Sequence, residues 1–160
     1  MRRLLCILPL ALAASLASAA GTVEVSFKPV ADLTDPGRDR WDGERNVKAL
    51  GEHFQALARR LPDGQALKVE VTDLDLAGRM KPTRHGSEVR VLDGRADWPS
   101  LTLRWTLAAG GRTLATGDER VTDMAYLMHG PASHRDEPLG HERRLIERWF
   151  DERVLAAAAR

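Results

Sequence analysis

Apolar and polar residues alternate strictly over Thr22–Lys28. Val23, Val25 and Phe27 fall on one side and Glu24, Ser26 and Lys28 on the other, the two-residue period of a half-buried strand. Pro29 ends it. The stretch from Asp32 to Gly43 is polar, and Asp35-Pro36-Gly37 is a turn signal. From Arg45 to Leu61 the period changes. Val47, Leu50, Phe54, Leu57 and Leu61 recur every three or four residues, which predicts an amphipathic helix, with Asp42 as its expected cap and Pro62-Asp63-Gly64 as its stop.

Alternation resumes over Ala66–Leu76. Leu67, Val69 and Val71 share one face, and strict parity carries Asp73 and Asp75 onto that same face. Gly78 to Gly86 is basic and reads as an irregular loop, followed by a short edge strand at Glu88–Leu92. Leu101, Leu103, Trp105 and Leu107 alternate with Thr102, Arg104 and Thr106. Gly110-Gly111 and a second extended stretch, Arg112–Thr122, complete a hairpin signal. Asp123 to Glu137 reads as a long loop. Pro138 is placed to open a final helix at its first turn, with Leu145, Ile146, Trp149, Phe150 and Val154 on its apolar face and a fraying tail at Ala156–Ala159. The order predicts an α+β fold: a mainly antiparallel sheet of four to five strands with two helices packed on one face.

The chain opens differently. Met1-Arg2-Arg3, an apolar run from Leu4 to Leu16 and Ala17-Ser18-Ala19 have the basic start, short apolar centre and small-residue end of a secretory signal peptide. The run falls short of the roughly 20 apolar residues a spanning helix needs. Residues 1–20 are therefore expected to be cleaved. Residues 21–160 should then form a single domain in the periplasm, with no stable membrane insertion once the leader is gone. Cys6 is the only cysteine, so the mature chain would hold no disulfide, thiol nucleophile or cysteine-bound zinc. The 24 Lys+Arg and 23 Asp+Glu residues nearly balance, which argues against a nucleic-acid partner.

Several segments occur in an order that carries a resemblance. They are Leu61-Pro62-Asp63-Gly64-Gln65, then Val69-Glu70-Val71-Thr72-Asp73-Leu74-Asp75-Leu76-Ala77-Gly78, then Trp98-Pro99-Ser100-Leu101-Thr102-Leu103-Arg104. Val121-Thr122-Asp123-Met124-Ala125-Tyr126-Leu127 and Glu142-Arg143-Arg144-Leu145-Ile146-Glu147-Arg148-Trp149-Phe150 follow. Together they resemble the small exported proteobacterial proteins catalogued as domain of unknown function 3016. The resemblance implies an exported single domain, and no residue inherits a catalytic role from it.

Candidate chemistry is sparse. Asp73 and Asp75 on a core-side parity would be costly unless paired. With Asp123 they form a candidate oxygen set for a divalent cation, and hence for a metal-dependent hydrolase. The competing reading is that the strand leaves the core at Thr72 and the acids hold loops or pair with arginines. His53, His85, His129, His134 and His141 lack the helical spacing of a zinc motif. No Gly-x-Ser-x-Gly elbow, Ser-x-x-Lys pair or phosphate-binding glycine motif occurs, and no cofactor is implied. Tyr126 and His129, on the loop, are candidate contacts for a partner. The rival reading has Met124, Tyr126 and Leu127 folding back as a lid on the core. Trp105 shares parity with the leucines and reads as core rather than as a sugar-stacking surface. The sequence thus leans away from an enzyme. It leans toward a non-enzymatic binding or accessory module for an envelope protein or component, contacting it through Asp73, Asp75, Asp123, Tyr126 and His129.

Overall fold

The structure is a computed structural model that describes residues 20–128 and 138–159. Among these the chain runs β1 (Thr22–Phe27), α1 (Arg40–Ala56), β2 (Gln65–Asp75), β3 (Arg79–Pro82), β4 (Glu88–Val91), β5 (Ser100–Ala109), β6 (Arg112–Thr122) and α2 (Gly140–Trp149). Four strands make a mixed sheet in the order β1-β2-β5-β6, and β3 and β4 make a separate two-stranded sheet. The fold is α+β, as the pattern predicts. β1 runs parallel to β2, with Val25 beside Val69, because α1 intervenes and returns the chain to the same end, the connection a parallel pair requires. The β2–β5 and β5–β6 pairings are antiparallel.

The first helix begins five residues before its expected start. Its cap is Asp39, not Asp42: Asp39 Oδ1 accepts the Asp42 backbone N–H at 2.9 Å. That bond, with help from Arg38, holds the Asp39 carboxyl below the usual carboxylate range. Asp42 sits in the first turn, accepts the Arg38 N–H and pairs with Arg45. The helix tightens into a further turn at Leu57–Arg60. Leu50, Phe54, Leu57 and Leu61 are buried as the stripe predicts, and Val47 packs at the margin.

β5 contributes Leu101, Leu103, Trp105 and Leu107 to the core, all buried. Gly110 and Gly111 both have positive φ, 55° and 77°, the backbone that a two-residue hairpin turn demands. In β6, Gly117 lies under the Trp105 ring. A Cβ there would stand 2.3 Å from Trp105 Nε1, so the indole needs a glycine below it. Edge-to-face contacts then run through the core from Phe27 to Phe54 (6.3 Å), Phe54 to Trp149 (6.0 Å) and Trp149 to Trp105 (6.1 Å). This chain of rings joins β1, α1, α2 and β5, in arrangements that aromatic quadrupoles favour.

Three other expectations are corrected. The basic stretch after Gly78 is not an irregular loop: Arg79–Pro82 pairs with β4. The last helix opens at Gly140 rather than Pro138, after Leu139 takes a left-handed φ of 62°. Its tail also stays helical. A π-helical segment, Phe150–Leu155, leads into a last turn at Ala156–Ala158. Ala157 and Ala158 pack against the core, and the Ala158 carbonyl accepts from Gln65 Nε2 at 3.3 Å.

Candidate functional site

The acidic end of β2 is shaped by one extra residue. Val71 pairs with Leu103, but Asp73 already pairs with Thr102, so two residues of β2 span one step of β5. Thr72 is the inserted residue of a β-bulge, and its hydroxyl donates to the Thr102 carbonyl at 3.2 Å. A one-residue slip flips every side chain that follows. Leu74 and Leu76 therefore turn into the core, where both are buried, while Asp73 and Asp75 turn to the opposite face. Strict alternation had put the two aspartates on the core side, and the bulge overturns that parity.

Asp73 and the neighbouring Asp35 each have their own partners. Asp73 clamps the segment after β1: Oδ1 accepts the Thr34 backbone N–H at 2.9 Å and Oδ2 the Thr34 hydroxyl at 3.0 Å. Asp35 continues that segment along the edge of β2, donating its N–H to Leu74 O (2.9 Å) and accepting from Leu76 N (3.0 Å). Its carboxylate takes both arms of Arg90 at 2.7 and 2.9 Å, a bidentate fork that fixes β4 against β2. The hydrogen bond to Asp35 also raises the Arg90 pKa above its ordinary value, against the effect of burial. Asp75 stands between these groups. Partial burial, together with the neighbouring carboxylates of Asp35 and Asp73, pushes its pKa up, and Arg120 and Arg90 offset part of that.

Asp123 lies beyond the other end of the same strand row, since Asp75 pairs with Ser100 and Ser100 with Thr122. It is buried, accepts the Ala125 N–H at 3.2 Å and faces Arg148 Nη1 at 3.6 Å. Arg148 in turn donates to the Thr122 carbonyl at 2.8 Å. Among the described residues no group of three or more His, Cys, Asp or Glu side chains is placed to hold a metal ion. Asp73 and Asp123 are engaged separately, and the Asp75 carboxylate makes no hydrogen bond or ion pair among the described residues. His129 and His134 lie outside the described residues.

Tyr126 points inward and is 1% exposed. Its ring meets His141 edge-on at 4.8 Å, and its hydroxyl accepts the Gly94 N–H at 3.3 Å. Burial, with the nearby Asp97 carboxylate, pushes the phenol up to about 12. This is the geometry of the lid reading. The neighbours of Tyr126 face outward instead: Met124 is 68% and Met128 83% exposed. Leu127 lies against Gly94, whose added Cβ would stand 3.0 Å from Leu127 Cδ1. The turn after β6 and the segment after β4 therefore touch, and these two segments carry the exposed apolar side chains Leu92, Met124, Leu127 and Met128.

Beside this surface lies a cleft of about 630 Å³ between α1, β4 and the start of α2, lined by Leu76, Ala77, Arg90, Leu92, Leu139 and Glu142 among others. Glu142 is buried, and its Oε1 accepts the Ala77 N–H at 2.7 Å. That bond ties the first turn of α2 to the chain leaving β2. Sequence reasoning missed Asp35, Arg90 and Glu142. Asp35 was visible only as part of a turn signal, and pairs separated by 55 or 65 positions leave no local pattern.

A family model described as "Protein of unknown function (DUF3016)" matches residues 21–152. Neither the curated proteins nor the solved structures contain a match to this chain.

Proposed function

The chain belongs to the family of that description, DUF3016, and from this premise we propose that it is a small non-enzymatic binding or accessory module of the bacterial cell envelope. Residues 1–20 direct its export and are removed, and residues 21–160 work in the periplasm as one domain.

The observation that carries this reading is how the charged groups near the acidic strand end are occupied. Asp73 holds Thr34, Asp35 holds Arg90, Glu142 holds the Ala77 amide and Asp123 faces Arg148. A hydrolytic centre needs a nucleophile and a base within hydrogen-bond reach of a common point. These side chains are spent on fixing loops to the sheet. The apolar side chains left exposed near them are Leu92, Met124, Leu127 and Met128, on the segment after β4 and the turn after β6. Contiguous exposed apolar side chains mark interaction surfaces. Asp123 and Tyr126 hold the turn that carries Met124, Leu127 and Met128 from within, and Asp73, Asp75 and His129 are the further contact residues of this reading.

The test uses the protein in its own cells. Fractionation should place it in the envelope, partly with sedimentable material. A Met124→Ser, Met128→Ser double variant should move it toward the soluble periplasmic pool. A cytosolic protein would overturn export, and an unchanged distribution of the double variant would overturn the contact surface.

A further inference from the structure

We infer that the apolar junction surface and the β3–β4 hairpin beside it form a reversible docking face for a membrane surface rich in anionic phospholipid. The inference deepens the envelope reading above and rests on it. Of the large apolar side chains exposed among the described residues, all but Trp41 belong to β4, the segment after it or the turn after β6: Val89, Leu92, Met124, Leu127 and Met128. Methionine is unbranched and adaptable, suited to a fluid, non-specific apolar partner.

Charge supplies the second observation. Within the hairpin and its flank, Asp93 pairs with both Arg79 and Lys81, and Asp35 with Arg90, which leaves one positive charge in excess among these groups. Arg84 at the tip and Arg95 beside Gly94 are exposed and have no ion-pair partner among the described residues, and the one exposed acid of the hairpin in the same condition is Glu88. The open face of the sheet is built differently. There Lys68 meets Glu24, and Arg104 meets Glu70 and Asp118, so two cations face three carboxylates and the excess is acidic. Arg95 follows the Gly94 that meets Leu127, and Arg84 stands at the tip of the hairpin that carries exposed Val89. A protein partner would have to offer both a greasy patch and acidic residues. An anionic bilayer offers both everywhere, as acyl chains beneath phosphate headgroups, and attracts basic residues within a Debye length. The face carries few apolar groups and few free cations, so attachment is weak and easily reversed, as for single-signal membrane association in general.

The experiment is flotation of the processed protein, purified from the cells that make it, with vesicles of phosphatidylglycerol and phosphatidylethanolamine or of phosphatidylcholine alone. The expected result is binding to the first, little to the second, and release at high salt. Arg84→Glu and Arg95→Glu should each lower the bound fraction about fivefold or more, the factor associated with one basic residue near an anionic surface. Met124→Ser with Met128→Ser should lower it comparably. Those side chains are exposed, so a circular-dichroism spectrum like that of the parent will show that the variants fold. Lys68→Glu, on the open face of the sheet, should leave binding unchanged. Equal binding to both vesicle types, no binding to either, or anionic binding that survives the arginine and methionine changes would overturn the inference. Absence from vesicles combined with a continued envelope location that depends on Met124 and Met128 would do so too. It would assign the face to a protein and leave the envelope reading standing.

Discussion

Glu119 shows how much of this core hangs on single polar atoms. Its Oε1 accepts from Trp105 Nε1 at 2.9 Å and from Trp149 Nε1 at 3.1 Å, while Oε2 pairs with Arg153 at 3.1 Å. Both indoles are buried, and a buried donor without a partner costs about 1–3 kcal/mol. Glu119→Ala strands two such donors and should destabilise the protein by about 2–4 kcal/mol, read as a lower denaturation midpoint. Glu119→Gln retains an acceptor oxygen and should lose clearly less. Tyr126 allows an equally specific reading, because it is the only tyrosine in the chain. Its phenol should titrate at about 12 in the folded protein, against an ordinary 10.0. The fold thus favours the neutral form, so this group's contribution to stability is complete below pH 10 and is lost as pH rises through about 12. Absorbance at the phenolate band in native buffer and in denaturant measures both values. A native midpoint near that of the unfolded chain would mean that the ring faces water. Tyr126 stood out in sequence as the ring of the loop, whereas Glu119 did not. Glu119 reads as an ordinary strand glutamate, since its two indole partners come from another strand and a distant helix.

At the scale of elements the bulge at Thr72 is the decisive feature. Removing Thr72 would leave Val71 opposite Leu103 and Asp73 opposite Thr102. Leu74 and Leu76 would still face inward, and Asp73 and Asp75 outward. The deletion should therefore fold, with a modest stability loss from the missing hydroxyl bond and the altered local twist. Deleting Lys68 instead would reverse the parity of Leu67 relative to every later core residue of β2 and should abolish cooperative unfolding. Denaturant melts of the two deletions test the contrast directly. The same feature marks the limit of reading the fold from sequence. Alternation at Val23–Phe27 and Leu101–Leu107, the stripe from Leu50 to Leu61 and the Gly110-Gly111 hairpin were all legible, because each is a local period or a turn chemistry. A bulge breaks the period without changing composition, so β2 looked regular. The start of α1 was hidden for a related reason: Trp41 in its first turn is 83% exposed and gives no apolar stripe. β3 was hidden by its charges and Pro82, tolerable because Pro82 ends the strand opposite Glu88. The candidate site was half legible. Asp73, Asp75 and Asp123 were visible as acids at strand ends. The partners of Asp73 and Asp123, Thr34 and Arg148, depend on which ends the topology brings together.

For the molecule as a whole, the stabilising devices are those of a domain that works without covalent staples. A chain of four aromatic rings links the sheet to both helices, and buried acids pin the connections. Nothing in this scheme involves a thiol, and the only cysteine, Cys6, lies in the proposed leader. That position makes it a built-in reporter of processing. If residues 1–20 are cleaved on export, the protein recovered from cells and unfolded in denaturant will take up no maleimide. The uncleaved chain will take up one equivalent, because denaturation exposes every thiol. The two outcomes differ by a single label that mass spectrometry resolves, alongside the mass of the leader itself. The processed protein should also melt at the same temperature with and without reductant, since it has no disulfide to lose. One equivalent of label on the protein from its native compartment would mean that the leader is retained. The surface around Met124 and Met128 would then have to be explained in a cell compartment without the exported location on which its assignment depends.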